Sequence, residues 1–377
     1  MVRLDSPDGD YSPFTIHHSL PMKGTGMTIR VGIIGAGAIA HDHCRNIANY
    51  DGAEAVAIAD LSAKRRNEIK KAYDMSKAYG SWEEIVADPE IDAVAVALPN
   101  TLHAPAALGA LSSGKHVLLD KPFTVNYAEA KKCADTARRK RKVLMVGMNQ
   151  RYPDQAQQLR AIVDRGDLGE VYHTKAYWLR RTGSPKFGTW FVNKKMSGGG
   201  CLLDIGVHIL DVGMYLSGCW DPVAVSGQVY TKFGNRGLGE GGWGKSDRNK
   251  KIKFDVDDFA TAFIKCRSGA TTELNVSWVL HQETGGRHNV ELFGTEAGAT
   301  MNPLKLFRFG RKKGEYEVVE PQNVKVEKKH KCRQHDWLDA VTRKGKPIST
   351  LDQALTVQKV LDAIYKSAET GREVRVK

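Results

Sequence analysis

No stretch of this 377-residue sequence approaches the roughly 18 consecutive apolar residues that a membrane span needs. Residues 1–14 lack both the apolar core of a secretory signal and a twin arginine, so a cytoplasmic protein is expected. Cysteine is scarce. Its six residues (Cys44, Cys133, Cys201, Cys219, Cys266, Cys332) are scattered and form no C-x-x-C pair. A chain this long does not need disulfide staples, so reduced, mostly buried thiols are expected. Negative charge is in deficit: 43 Asp and Glu stand against 56 Lys and Arg, a net +13. The basic runs at 138–142, 250–253 and 328–333 read either as a nucleic-acid footprint or as solvated helix faces and loop tips. None is interleaved with aromatics or joined to a binding module, so nucleic acid is not an expected partner. A phosphorylated or carboxylated substrate would suit the charge.

What remains is ordinary globular composition, 41% hydrophobic and 26% charged, at a length that suits two domains. Residues 1–26 are rich in Pro, Gly, Ser and His and look like an arm or extension ahead of Met27. From there, short apolar runs (29–34, 53–59, 91–98, 116–119, 143–146) alternate with helical patterns (38–49, 62–73, 103–113, 127–140). Parallel neighbours need crossover connections, so this alternation predicts a doubly wound parallel sheet over 27–148. The rhythm then changes. Longer strands are predicted over 172–181, 223–233, 259–266, 271–280 and 288–293, with a hairpin at Gly269 and a long loop over 234–250. A final helix over 351–367 and a short strand over 373–376 complete a second α+β domain, 149–377, built on a large, mostly antiparallel open sheet.

The first strand-to-helix turn reads Gly35-Ala36-Gly37-Ala38-Ile39-Ala40, the G-x-G-x-x-G/A fingerprint. The first glycine permits the tight turn and the second lets backbone approach a pyrophosphate. Asp60 ends the next strand, where a carboxylate accepts from ribose hydroxyls and repels a 2′-phosphate. NAD is therefore the expected cofactor over NADP, although Lys64, Arg65 and Arg66 just beyond temper that preference. A structural glycine turn capped by a surface Asp is the plainer alternative.

Three further segments are more specific: Leu98-Pro99-Asn100-Thr101-Leu102-His103, Asp120-Lys121-Pro122, and the run from Ser197 through Gly198, Gly199 and Gly200 to Asp204 and His208. With the fingerprint, they resemble the glucose–fructose oxidoreductase / inositol dehydrogenase / rhizopine-catabolism family from about Ile29 onward. Asp120 departs from that family's usual Glu, keeping the charge but shortening the reach. The resemblance implies Lys121, Asp204 and His208 as the catalytic Lys, Asp and His. It also implies oxidation of sugars, cyclitols or glycosides, or the reverse reduction, and pairing into a homodimer or homotetramer through the open sheet. Residues 275–280 and 288–293 would supply apolar positions for that face.

The residue types argue similarly. Asp204 and His208 are four apart, so on a helix they share a face with Asp211 and Tyr215. An imidazole can accept the proton of a substrate hydroxyl, and a lysine ammonium can stabilise the alkoxide. Plainer readings are an Asp N-cap, a structural His, a loop Lys, or half a metal site; no third ligand has convincing spacing, so no metal is expected. Leu98, Asn100, His103 and Asp120 lie past Rossmann strands, where the nicotinamide belongs, although Asn100 and His103 could instead cap the next helix. Asn149 and Arg151 at the junction resemble a family cofactor or substrate contact, and with Trp190 before the glycines they are cofactor candidates. Tyr152, Trp178 and Arg180 are substrate candidates, since rings stack on sugars and guanidinium forks bind hydroxyls, and they serve equally as core and rim. An NAD-dependent sugar or cyclitol dehydrogenase is therefore expected. A glycosidase with transient redox and a dinucleotide-sensing regulator are the rivals.

Overall fold

The computed structural model describes residues 28–241, 246, 253–310 and 312–376. The N-terminal arm and most of the basic run at 250–253 lie outside them. The first unit runs β1 (Ile29–Ile34), α1 (Ala38–Ala48), β2 (Ala53–Ala59), α2 (Ala63–Ala72), β3 (Lys77–Tyr79) and α3 (Trp82–Ala87). It continues through β4 (Ala93–Val96), α4 (His103–Ser112), β5 (His116–Leu119), α5 (Tyr127–Lys140) and β6 (Leu144–Val146). The six strands are parallel in the order β3-β2-β1-β4-β5-β6, a Rossmann sheet. The strand order reverses between β1 and β4, which opens a crevice at their C-terminal ends. The pair β3–α3 was not anticipated: a three-residue strand carries too little period to read.

The second unit begins with α6 (Asp154–Asp164), β7 (Val171–Arg180) and the short α7 (Lys194–Ser197). A π-turn over Leu202–Gly206 leads directly into α8 (Val207–Ser217). Then follow β8 (Pro222–Tyr230), β9 (Phe259–Cys266), β10 (Thr271–Ser277), β11 (Gly286–Gly294), β12 (Gly298–Thr300), β13 (Lys305–Phe309) and β14 (Tyr316–Val319). The chain closes with α9 (Arg333–Val341), α10 (Leu351–Thr370) and β15 (Val374–Arg375). The nine strands lie in the order β14-β13-β12-β11-β7-β10-β9-β8-β15, all antiparallel except β7 beside β10. Gly269, at φ 93°, turns the β9–β10 hairpin.

One face of this sheet packs on α8 and α10. Val276, Trp278, Val290 and Leu292 are fully buried beneath it. They therefore do not supply the apolar outer face expected from residues 275–280 and 288–293. Strand alternation turns those side chains inward and leaves Asn275 and Glu291 on the other side. The helical stretch Lys194–Ser217 is long and apolar enough to cross a membrane, but 89% of its most apolar 18-residue window is buried inside the protein, as in a core helix.

The C-terminal segment does not stay with the second sheet. Trp337 and Leu338 of α9 bury among Val31, Ile33, Cys44 and Leu118 of the Rossmann unit. On α10, Asp362 accepts from the Tyr127 N–H at 2.6 Å, and Ser367 accepts from Gly227 at 2.9 Å. The cysteines also need a correction. Cys219 and Cys266 form a disulfide, with Cα atoms 6.2 Å apart, whereas Cys44, Cys133, Cys201 and Cys332 are free. The two residues are 47 positions apart, and only the pairing of β8 with β9 brings them together.

Candidate active site

At the dinucleotide turn, Gly35 has φ 103°, and a Cβ there would lie 2.2 Å from the Ala97 carbonyl oxygen. Gly37 opens α1 with no side-chain cap and no acidic residue in the first turn, and a Cβ there would meet open space. The leading N–H groups of an 11-residue helix thus face a clear approach, with Ala38 and Ile39 exposed beside it. That donor set fits a pyrophosphate. Asp60 sits at the end of β2 and accepts from the N–H of Ala36 (2.9 Å) and Ser62 (2.7 Å) and from the Arg65 guanidinium (2.9 Å). Burial opposes its charge, but these donors prevail and hold its carboxyl below the usual range. Leu98 lies partly exposed beside the turn.

Across the crevice, Lys121 donates from Nζ to the Asp204 carbonyl oxygen and to its Oδ1, each at 2.8 Å. Asp204 Oδ2 accepts from Trp278 Nε1 at 2.9 Å. Burial works against the Asp204 charge, yet the Lys121 ammonium holds its carboxyl below the usual value. His208 is buried, and its Nδ1 has no hydrogen-bond partner among the described residues. Burial first, and the Lys121 ammonium second, push the imidazole well below its ordinary value, so it stands neutral. The three motif residues therefore meet, although not on a regular helix face: the π-turn carrying Asp204 shifts its phase against α8. Asp211 points elsewhere and Tyr215 packs over Arg151 and Arg160.

The wall beyond His208 is aromatic. The Trp178 ring lies 6.1 Å from His208 and stacks on His288 at 5.0 Å, and the Arg180 guanidinium sits 5.2 Å from the Trp178 centroid. Behind Lys121, Asp120 Oδ1 is 3.3 Å from His43 Nε2 and 3.6 Å from the Arg333 guanidinium. Burial disfavours its charge, but Arg333 and His43 hold the carboxyl far below the usual range.

Several candidates are placed away from a ligand. Arg151 is fully buried and forms a fork with Asp211 (2.8 and 2.5 Å), while its remaining Nη1 donates to the Ile348 carbonyl and Gln353. Tyr152 is buried and donates its hydroxyl to Asp336 at 3.1 Å. Both have their polar atoms committed within the junction, so neither faces cofactor or substrate. Asn100 donates to the Ser197 carbonyl at 2.7 Å, tying the Rossmann loop to the glycine segment. His103 places its ring nitrogens 2.8 Å from the Pro122 carbonyl oxygen and 2.9 Å from that of Leu98, and so braces the backbone beneath Lys121. Asn149 is exposed on the turn after β6, and Trp190 stacks on Phe191 at 3.7 Å in the loop after β7.

Sequence reasoning missed Trp278, His288, His43 and Arg333. Each comes from a segment far along the chain from the motif it joins, and Arg333 was hidden in a basic run that reads as solvated. Among the described residues, no three His, Cys, Asp or Glu side chains group as a metal site.

Two family models match this chain: an oxidoreductase family with an NAD-binding Rossmann fold over residues 29–148, and the GFO/IDH/MocA C-terminal domain over 156–300. The chain belongs to the GFO/IDH/MocA oxidoreductase family. D-glucoside 3-dehydrogenase of Escherichia coli K12 is 31% identical over 93% of this chain and 99% of its own length. Myo-inositol 2-dehydrogenase of Thermotoga maritima is 25% identical over 79% of this chain and 92% of its own. Among solved structures, levoglucosan dehydrogenase in complex with NADH and levoglucosan shares the fold, with a TM-score of 0.77, 22% identity and coverage of 93% and 100%. Family members thus include sugar and cyclitol dehydrogenases, and this chain is an NAD-binding oxidoreductase of that kind.

Proposed function

We propose that this enzyme oxidises a secondary hydroxyl of a pyranose, glycoside or cyclitol, with His208 taking the hydroxyl proton. The observation that carries the reading is a buried, neutral imidazole beside the Lys121–Asp204–Trp278 network. A neutral histidine can accept a proton at neutral pH, whereas a protonated one cannot. Lys121 has three N–H donors, two of them held by Asp204, which leaves one for a substrate oxygen whose charge grows as the proton leaves. Asp204, fixed from the other side by Trp278, keeps that ammonium oriented. Gly35, Gly37, Ala38, Ile39, Asp60 and Leu98 would hold the dinucleotide, and Asp120 would lie near its nicotinamide end. Bound NAD supplies the hydride acceptor.

The Asp60 carboxylate supports NAD over NADP, although Arg65 on the same carboxylate moderates the repulsion of a 2′-phosphate. We also propose that the protein acts in the cytoplasm and pairs through the outer face of the nine-stranded sheet. The test is NADH formation by the purified chain with NAD and a panel of sugars, cyclitols and glycosides, beside His208→Ala. Turnover that falls about 10²–10⁴-fold in the variant is the expected result. Glycoside cleavage without accumulation of NADH would replace it with the hydrolytic reading.

A further inference from the structure

We propose that the substrate carries an anionic group, a carboxylate or a phosphate, and that Arg180 receives it. The inference rests on the dehydrogenase reading and concerns the same site. Along β7, alternation puts Trp178 and Arg180 on one face, the face against which α8 presents His208. His288 lies directly across the strand pair from Trp178 and stacks on it, so a ring-lined wall runs from His208 to the Arg180 guanidinium.

Arg180 differs from the other sequestered arginines. Arg151 forks onto Asp211, and Arg333 meets Asp42 at 2.9 Å and Asp120 at 3.6 Å. Among the described residues, the Arg180 side chain makes one hydrogen bond, from Nη1 to the Gly183 carbonyl at 3.3 Å, and no ion pair. Burial pulls its guanidinium below the usual value, with Asp204 only partly offsetting that effect. Asp204 makes no hydrogen bond or ion pair with Arg180 among the described residues; its Oδ1 bonds Lys121 and its Oδ2 bonds Trp278. The neighbouring Arg181 is no competitor, since its donors hold the Gln282 and Glu283 carbonyls.

Charge around the site points the same way. Lys121 balances Asp204, and Arg333 balances Asp120. His208 is neutral, and burial together with Arg180 lowers His288. One positive charge is left over, on a side chain with most of its five N–H donors unmatched. A planar fork of that kind matches a carboxylate or phosphate with two parallel bonds. The chain's net +13 would favour the approach of such a substrate.

The experiment compares matched sugars with the purified chain and NAD: glucose against glucuronate and glucose 6-phosphate, and methyl glucoside against methyl glucuronoside. Wild type, Arg180→Met and Arg180→Lys are assayed, with circular dichroism to confirm folding. The expected result is a preference for the anionic member, expressed mainly in KM, that falls about 100-fold in Arg180→Met and is partly kept in Arg180→Lys. The carboxylate and phosphate arms show which anion the site takes. Equal kcat/KM for neutral and anionic partners, or a preference that survives Arg180→Met, would overturn the proposal.

A second readout, quenching of tryptophan fluorescence by glucuronate, needs no turnover. His208-dependent oxidation of neutral sugars with no anion preference would sink the anion site and leave the dehydrogenase reading intact. Arg180-dependent binding of glucuronate with no NADH from any sugar would do the reverse.

Discussion

The two fingerprint glycines answer to different physical demands, and substitution should separate them. Gly35 needs a left-handed backbone and has the Ala97 carbonyl where a Cβ would go. Alanine there is expected to cost about 2–4 kcal/mol of stability, seen as a lower melting temperature. Gly37 has an ordinary φ of −80° and open space around it. Gly37→Ala should therefore melt like the wild type while binding NAD more weakly, because the added methyl occupies the pyrophosphate's approach. Equal melting temperatures for the two variants would refute this division.

His208 offers a test by pH at the same scale. Burial and the Lys121 charge both lower its affinity for protons, so the acid limb of kcat/KM should fall below the ordinary histidine value of about 6.5. Lys121→Met removes one of three lowering influences, burial and the Arg333 charge being the others, and the His208 titration should move upward, towards the ordinary value. NMR of the imidazole reads this even where turnover is slow. An unmoved titration would mean that the Lys121 charge does not contribute to it.

At the scale of elements, the site depends on how the glycine segment is pinned before α8. Asp257, buried on the loop preceding β9, accepts from the Gly200 N–H (2.8 Å), the Leu202 N–H (2.9 Å) and the Tyr365 hydroxyl (2.8 Å). A Cβ on Gly200 would come within 1.9 Å of the Asp257 carbonyl oxygen. This contact sets where the π-turn starts and hence where Asp204 meets Lys121. Asp257→Ala should cost about 2–4 kcal/mol in a urea titration, because these donors and the Cys201 thiol lose their acceptor. It should lower kcat more than it raises the KM for NAD, since the dinucleotide turn lies elsewhere; a loss confined to NAD affinity would contradict the assignment. The fingerprint, Asp-Lys-Pro and the Ser197–His208 run were legible because each is contiguous and each residue type carries its own chemistry. Asp257 and Trp278 were not, because their roles arise only when the segments flanking β9 and β10 fold against the glycine segment and its π-turn. The helix-face argument brought Asp204 and His208 together but also added Asp211 and Tyr215, which pack elsewhere; it assumed a regular helix, and a π-turn leaves no mark in hydrophobic spacing.

At the scale of the molecule, the change of rhythm after residue 150 was readable in the sequence, but not what holds the two sheets together. Arg151 follows β6 of the Rossmann unit, its carboxylate partner Asp211 belongs to α8, and its other contacts, Ile348 and Gln353, belong to the C-terminal segment. The Tyr215 and Trp220 rings, 5.0 and 5.1 Å from the guanidinium, complete a buried enclosure. Its place at the junction and the family resemblance made Arg151 a cofactor candidate; its depth makes it the tie between three parts of the chain. Removing one partner leaves a bare charge in that enclosure, so Arg151→Met should destabilise by about 3–5 kcal/mol. Replacing both, as Arg151→Met with Asp211→Leu, removes the uncompensated charge and should recover part of that loss even though two native groups are gone. Urea unfolding of the two singles and the double measures the coupling directly, and NAD titration of the folded double variant separates the two roles. Near-native NAD affinity supports a tie between units, whereas a large loss would return Arg151 to the cofactor site.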